Sequence, residues 1–468
     1  MSYDNDTFLS PFTWRYGSQP MRQLWSEVHK RMLMRQVWIA LATAQLNAGL
    51  VTQEQLADLK RHQDEIDIER AREFEKDTRH DVVAEIRAYA EQCQVGGAII
   101  HWGATSADIT DNVDVLRTRE ATRVLIARLE ELLSAFANLI ETTAKLPVIA
   151  YTHIQPAEPT TLGYRLSIYG QDLLEDLTTL QAIEQGVRGK GFKGAVGTQA
   201  AFVEMLEGTG VSAFELEADA MSILDLAYYP ITTQIYPRRQ DFDILSALAG
   251  IAASLHKFAL DFRFMQSPAI GEWAEPFHQK QTGSSAMPFK RNPIKSENIC
   301  SLARYIAGLP AVAWNNASQS ILERSLDDSA NRRILLAEAF LAADEILMQA
   351  ERIVNGMKVD KVAIARNMQR YGVFSATERL LTALVSAGAD RQEAHEWLRA
   401  ASVSAWESVE QGEDNPLPEL LLADERVNRY LEEQQVRALF SVESYIGTAA
   451  DRALGLVKRI RFRVRLPD

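Results

Sequence analysis

The stretch Gln281-Thr282-Gly283-Ser284-Ser285-Ala286-Met287-Pro288-Phe289-Lys290-Arg291-Asn292-Pro293, with Glu297 just beyond it, decides how the rest of the chain is read. A glycine at its start, prolines in its second half and two adjacent hydroxyls give it the composition of a loop between two helical segments. Composition alone fits a solvated connector as well as a catalytic element. The order of the residues separates the two readings, because Gly-Ser-Ser-x-Met-Pro-x-Lys-x-Asn-Pro fixes many positions in one short run.

Outward from this loop, apolar residues recur at spacings of three and four. From about Thr118, Leu125, Leu129, Leu132, Leu133, Phe136, Leu139 and Ile140 keep that period until Pro147 ends it. About 28 such residues predict a rod of roughly 40 Å, which needs neighbours to bury its stripe. Further rods are predicted to about Gln185, from Asp241 through about Phe264, from Lys295 through Tyr305, and from Arg332-Arg333 to about Gly356. The strip Tyr151 to Thr161, with Pro156 and Pro159, reads as extended. The fold expected is all-α: an elongated central bundle of five long helices over residues 107–358, flanked by two smaller helical domains at 1–106 and 359–468. The tail, Arg459 to Leu466, alternates like a strand with one basic face and reads as an edge or subunit contact.

Composition narrows the function. Of 468 residues, 47% are hydrophobic, which is ample for a core. Acidic residues outnumber basic ones, 63 to 50, for a formal charge of -13, which argues against nucleic-acid or anionic-membrane binding. An anionic ligand therefore needs a local basic pocket. Cys93 and Cys300 have no metal or CxxC spacing and read as buried thiols. The N-terminus lacks the pattern of a signal peptide and no uninterrupted apolar run looks long enough to span a bilayer, so a soluble cytoplasmic protein is expected. The Gly-rich passage Gly186 to Gly197 fails as a phosphate loop because Ala195 stands where a lysine should follow the second glycine; a close backbone approach to a ligand or neighbouring chain stays open.

Several strips carry polar chemistry. Arg15-Tyr16 follows a turn-rich opening, and Asp77 or Thr78 could cap a helix with Arg79, His80 and Asp81 at its start, where backbone N–H groups favour an anion. Gly103-Ala104-Thr105-Ser106 offers small residues and hydroxyls suited to a carboxylate. Thr152-His153-Ile154-Gln155-Pro156, Gly197-Thr198-Gln199-Ala200, Gln234 and Leu326-Asp327-Asp328-Ser329-Ala330-Asn331-Arg332-Arg333 complete the set.

In order and spacing, these strips and the loop resemble the fumarase/aspartase superfamily, and within it the branch that acts on succinylated purine nucleotides, in its animal form. The likeness runs over about residues 8 to 400 and weakens toward the C-terminus. It implies β-elimination of fumarate from adenylosuccinate, giving AMP, and from the succinyl-aminoimidazole-carboxamide ribotide, giving the carboxamide. It also implies a homotetramer with active sites shared between subunits, a small-molecule nucleotide substrate, and no cofactor or metal. On the matching positions Ser284 is implied as the base, with Lys290 assisting, and His153 as the acid, oriented and kept protonated by Glu297. His80 is implied at the substrate phosphate or carboxylate with a share in protonation, and Asp81 as orienting a polar group. Arg15, Tyr16, Arg324, Ser329 and Arg333 match positions for nucleotide phosphate and ribose. Thr105, Ser106, Thr152, Gln234, Lys290 and Asn292 match those for the succinyl carboxylates and the base, and Arg79, Ser285 and Met287 line the substrate. Asn298 departs from the animal pattern, which has an arginine there, and leaves the preference between the two substrates open. The alternatives are a sibling such as argininosuccinate lyase, aspartase, fumarase or carboxymuconate cycloisomerase, and a helical scaffold that has lost activity.

Overall fold

The computed structural model describes residues 6–277 and 280–464. Five long helices dominate it: α1 (Ser106–Thr143), α2 (Leu162–Gly186), α3 (Arg239–Gln266), α4 (Ile294–Ser318) and α5 (Ser329–Gly356). Between α1 and α2 a hairpin is formed by β1 (Pro147–Thr152) and β2 (Gln155–Thr161). Pro156 and Pro159 pair with Tyr151 and Ile149, which a two-stranded sheet tolerates because each strand has a free edge.

α1 begins at Ser106 rather than near Thr118 and runs for 38 residues, about 57 Å of helix. Its first turns hide from a periodicity reading because Asp108, Asp111 and Asn112 are buried there alongside Ile109 and Val113. α4 continues past Tyr305 and through Pro310, which removes the amide that would bond the Ile306 carbonyl. Ala303, Ile306 and Ala313 are buried on either side of the proline and hold the helix together across it.

The chain divides into two compact units, each built from three segments. The first comprises Met1–Arg128, Asp176–Ala253 and Ser301–Leu347; the second comprises Leu129–Glu175, Ser254–Cys300 and Met348–Asp468. Every long helix contributes residues to both. In the first unit the rings of Trp25 and Phe340 lie 5.5 Å apart, and Trp38 packs on Tyr89. In the second, Phe136, Tyr169, Phe258, Phe262 and Trp273 form a chain of ring contacts with successive centroids 5.3 to 6.5 Å apart. Each such ring, fully buried, contributes about 1.5–3 kcal/mol. A separate cluster around Leu380, Leu398, Leu417, Leu421 and Val436 forms the core of the C-terminal helices.

By length and mean composition α3 would be apolar enough to cross a membrane, although Asp243, Lys257 and Asp261 interrupt its apolar run. Leu245, Leu248, Leu255, Phe258 and Phe262 are fully buried in the chain, so these apolar residues belong to the core. The tail also differs from the expected strand, for Ala449–Arg463 is helical. Ala453, Leu456, Val457, Ile460 and Val464 are its buried face, a period that eight alternating residues were too few to expose. Arg461 pairs with Glu141 at 2.6 Å, and Arg465 and Leu466 lie outside the described residues.

Candidate active site

In the second unit, the loop before α4 is folded back on itself. Asn292 donates its side-chain amide to the Gly283 carbonyl at 3.2 Å, and Gln266 holds the Arg291 carbonyl at 3.1 Å. A Cβ on residue 283 would come within 2.1 Å of the Lys290 carbonyl, so only glycine permits this closure. The turn that results aims two backbone amides at one side chain: Ser284 Oγ accepts from Met287 N at 3.1 Å and from Ala286 N at 3.4 Å. Ser284 is partly sheltered, whereas Ser285, Met287 and Lys290 are exposed. Lys290 contributes its backbone amide to the turn, bonding Met287 O at 3.0 Å; its ammonium has no hydrogen-bond partner among the described residues. Glu275 anchors the start of α4 by accepting from the amides of Lys295 and Ser296 at 3.1 and 2.7 Å. No sequence pattern announced that role. Glu297 is exposed in the first turn of α4, and Asn298 buries its Oδ1 with no hydrogen-bond partner among the described residues.

Also in this unit, His153 sits with Ile154 at the tip of the β1–β2 hairpin, directly after Thr152, and all three are exposed. The His153 ring and the Glu297 carboxylate, expected to pair, share no hydrogen bond or ion pair among the described residues.

The remaining expected residues belong to the first unit. The opening strip is pinned to α5: Gly17 N bonds Glu345 at 3.0 Å and Ser18 N bonds Asp344 at 2.6 Å. This presents Arg15 with its guanidinium beside the Trp14 and Tyr16 rings, at 5.7 and 5.8 Å. The cap of the helix Asp81–Gln92 is His80 itself rather than Asp77 or Thr78, its Nδ1 accepting from Val83 N at 3.5 Å. That leaves Nε2 as the outward donor, suited to an anionic oxygen. Arg79 occupies a left-handed position (φ 51°) that ends the preceding helix. Asp81 bonds Arg333 at 2.9 Å and lies 4.0 Å from Lys30. Burial raises its carboxyl, but Lys30 and Arg333 outweigh burial and hold it below its ordinary range. Thr105 N bonds the Asp108 carboxylate at 2.8 Å and so sets Thr105 and Ser106 at the mouth of α1. Gln234 is tied by its backbone to the Glu323 carbonyl at 3.2 Å, beside Arg324.

Behind these groups lies a buried ion network that the sequence did not reveal. Arg238 bonds Asp111 through both terminal nitrogens at 3.1 Å and Asp328 at 2.6 Å. Arg332 bonds Asp241 and the Tyr236 hydroxyl, both at 2.7 Å, and lies 3.2 Å from Asp114. Burial raises the Asp328 carboxyl, but Arg238 and Arg324 outweigh it and keep it below its ordinary value. In the strip Asp327 to Arg333, then, Asp328 and Arg332 are structural, while Ser329 and Arg333 face outward at the start of α5. The Gly-rich passage is likewise turned inward. Asp108 accepts from Lys193 N at 3.1 Å, from Gly194 N at 3.1 Å and from the Lys190 ammonium, so the close approach it makes is to its own chain.

Comparisons with known proteins identify the family. The family described as Lyase matches residues 12–308, and the one described as Adenylosuccinate lyase C-terminus matches residues 374–453. A fumarate lyase from Mesorhizobium sp. BNC1 superposes with a TM-score of 0.83 at 23% identity, over 97% of this chain and 99% of that one. Fold and signature loop together define a lyase of the fumarase/aspartase class, all-α in architecture. Adenylosuccinate lyase of Schistosoma mansoni is 39% identical over 424 residues, 90% of this chain and 88% of its own. That of Saccharomyces cerevisiae is 36% identical over 462 residues, 97% and 95% of the two chains. That of Archaeoglobus fulgidus is 34% identical over 456 residues, 96% and 98%. The chain belongs to the adenylosuccinate lyase family.

Proposed function

We propose that this chain cleaves the C–N bond of adenylosuccinate to AMP and fumarate, and that of the succinyl-aminoimidazole-carboxamide ribotide to the carboxamide and fumarate, in purine biosynthesis. Ser284 removes the proton from the carbon next to a succinyl carboxylate, and the electron pair moves into that carboxylate as a dianionic intermediate. Its collapse forms the double bond of fumarate and expels the nitrogen, to which His153 gives a proton. A serine hydroxyl is not ionised at neutral pH, so its oxyanion needs donors. The observation that carries the reading is the pair of loop amides, Ala286 and Met287, already directed at Ser284 Oγ. One well-placed donor of this kind is worth about 3–4 kcal/mol, and closure of the loop would shorten both contacts and bring Lys290 closer. Arg15, Arg324 and Arg333 supply phosphate-binding cations to a chain whose formal charge is -13. Thr105, Ser106, Thr152, Gln234 and Asn292 hold the succinyl carboxylates, and His80 donates to an anionic oxygen.

The active form is a homotetramer in the cytoplasm whose sites draw on several chains. What supports this reading is that His153 and Glu297, expected to pair, share no hydrogen bond or ion pair among the described residues. The test is the ultraviolet absorbance of the purified protein mixed with adenylosuccinate, with AMP and fumarate identified by chromatography; release of neither rejects the assignment. Mixed and reassembled His153→Gln and Ser284→Ala proteins are expected to regain part of the activity. Proven subunit exchange without recovery rejects shared sites.

A further inference from the structure

His153 and Ile154 are the two central residues of the hairpin turn, with φ of 55° and 62°. Two consecutive left-handed residues are the pattern of a type I′ turn, which favours Asn-Gly because a Cβ crowds the following carbonyl there. Histidine is among the residues that enter this region more readily; a β-branched isoleucine is among the least suited to it. The strain at Ile154 is not offset by burial, since its side chain is 66% exposed. A sequence needing only a tight turn has no use for isoleucine at this position, and strained backbone of this kind persists where function holds it. Other apolar side chains of the same unit are also exposed. Tyr164 and Ile168 lie one turn apart on α2 and are exposed, as are Phe264 on α3 and Ile294 on α4. Long helices with bare apolar side chains suit association with like surfaces of another copy.

We propose that Ile154 is a positioning residue: its side chain docks on an apolar surface of a second copy of this chain, and that contact locks the left-handed turn so that the adjacent His153 ring is held in one orientation toward the leaving nitrogen. The proposal rests on the reading of His153 as the acid. Loosening the turn leaves the phosphate-binding cations in place, keeps Thr152 in its strand pairing with Gln155 and lets the ring swing, so the loss falls on kcat and not on KM.

The test compares full-length Ile154→Gly, Ile154→Asn and Ile154→Val with His153→Gln, measuring Tm, mass by light scattering, kcat and KM. Glycine and asparagine accept the left-handed backbone, so both variants are expected to keep or raise Tm while kcat falls by about 100-fold and KM stays within about twofold. Valine keeps an apolar, β-branched side chain and is expected to restore most of kcat. Activity kept by Ile154→Gly and Ile154→Asn but lost in His153→Gln overturns the proposal alone. Activity kept in all of them overturns the role of His153 and the proposal with it. A joint fall of Tm and kcat in both Ile154→Gly and Ile154→Asn marks a merely structural residue and equally overturns it.

Discussion

The two units hold the side chains proposed for function by different means. In the first, Arg324, Ser329 and Arg333 stand on a buried network in which Arg238 and Arg332 are each bonded by several acidic partners. In the second, Ser284 and His153 depend on short-range backbone geometry: two amides turned onto one oxygen, and two left-handed residues in one hairpin. The difference separates two requirements. Binding a multiply charged substrate needs cations held in fixed positions; Arg324 is steadied by Asp328 and Arg333 by Asp81, and the buried network that holds Asp328 supplies the long-range packing. Moving a proton needs a group that can shift by fractions of an ångström, which a loop and a turn provide.

The sharpest way to break this comparison is to damage each region at its centre. Ser284→Ala is expected to lower kcat by about 1000-fold with no change in Tm or in substrate binding, whereas Arg332→Leu, which leaves Asp241 buried without its cation, is expected to cost about 3–5 kcal/mol of stability in a denaturant titration. Should Ser284→Ala unfold the protein, or Arg332→Leu leave stability intact while abolishing turnover, the division is wrong. A smaller effect sharpens it at the rim of the network. Arg333 is exposed and Asp81, its half-buried partner, keeps Lys30 nearby, so Arg333→Ala is expected to change stability by about 1 kcal/mol at most but to raise KM about tenfold with kcat nearly unchanged. An unaltered KM would remove Arg333 from the phosphate site.

The smallest expected effect concerns the hairpin that carries His153. Glu158 on β2 shares a hydrogen bond with Glu378, which together with burial pushes the Glu158 carboxyl up to about 7. Glu378, bonded also by the Tyr445 hydroxyl at 3.0 Å, is held below its ordinary value. A raised folded pKa gives stability that is fully present below the unfolded value near 4.5 and is lost as pH rises through about 7. The Glu378 contribution runs the other way and is lost only below that window. Glu158→Gln is therefore expected to gain thermal stability over the wild type at pH 8 and to show little difference at pH 5. Equal differences at both pH values would mean that the two carboxyls do not share a proton.

How much was legible in the sequence follows the same division. The signature loop could be read because its chemistry lies in consecutive residues, and the long helices because Leu125 to Ile140 repeat at the helical period. The ion network could not, since Asp111, Arg238 and Arg332 are far apart in the chain and each reads by itself as the polar face of a helix. The same buried acids, Asp108 and Asp111, hid the first turns of α1. His-Ile is not a turn dipeptide, so the left-handed tip of the hairpin had no sequence signal. His80 was placed near a helix start, but that its ring serves as the cap is a matter of rotamer, which spacing does not encode.

The threefold interleaving of the two units has a consequence for synthesis. Segments that finish the first unit extend to Leu347, and those that finish the second lie beyond Met348. On the ribosome neither unit can close early: the hairpin bearing His153 is made long before Ser254–Cys300 and the C-terminal helices that complete its surroundings. Such a chain gathers its native contacts late and over long sequence separations, the regime in which exposed apolar stripes are most prone to stick to one another before they find their partners.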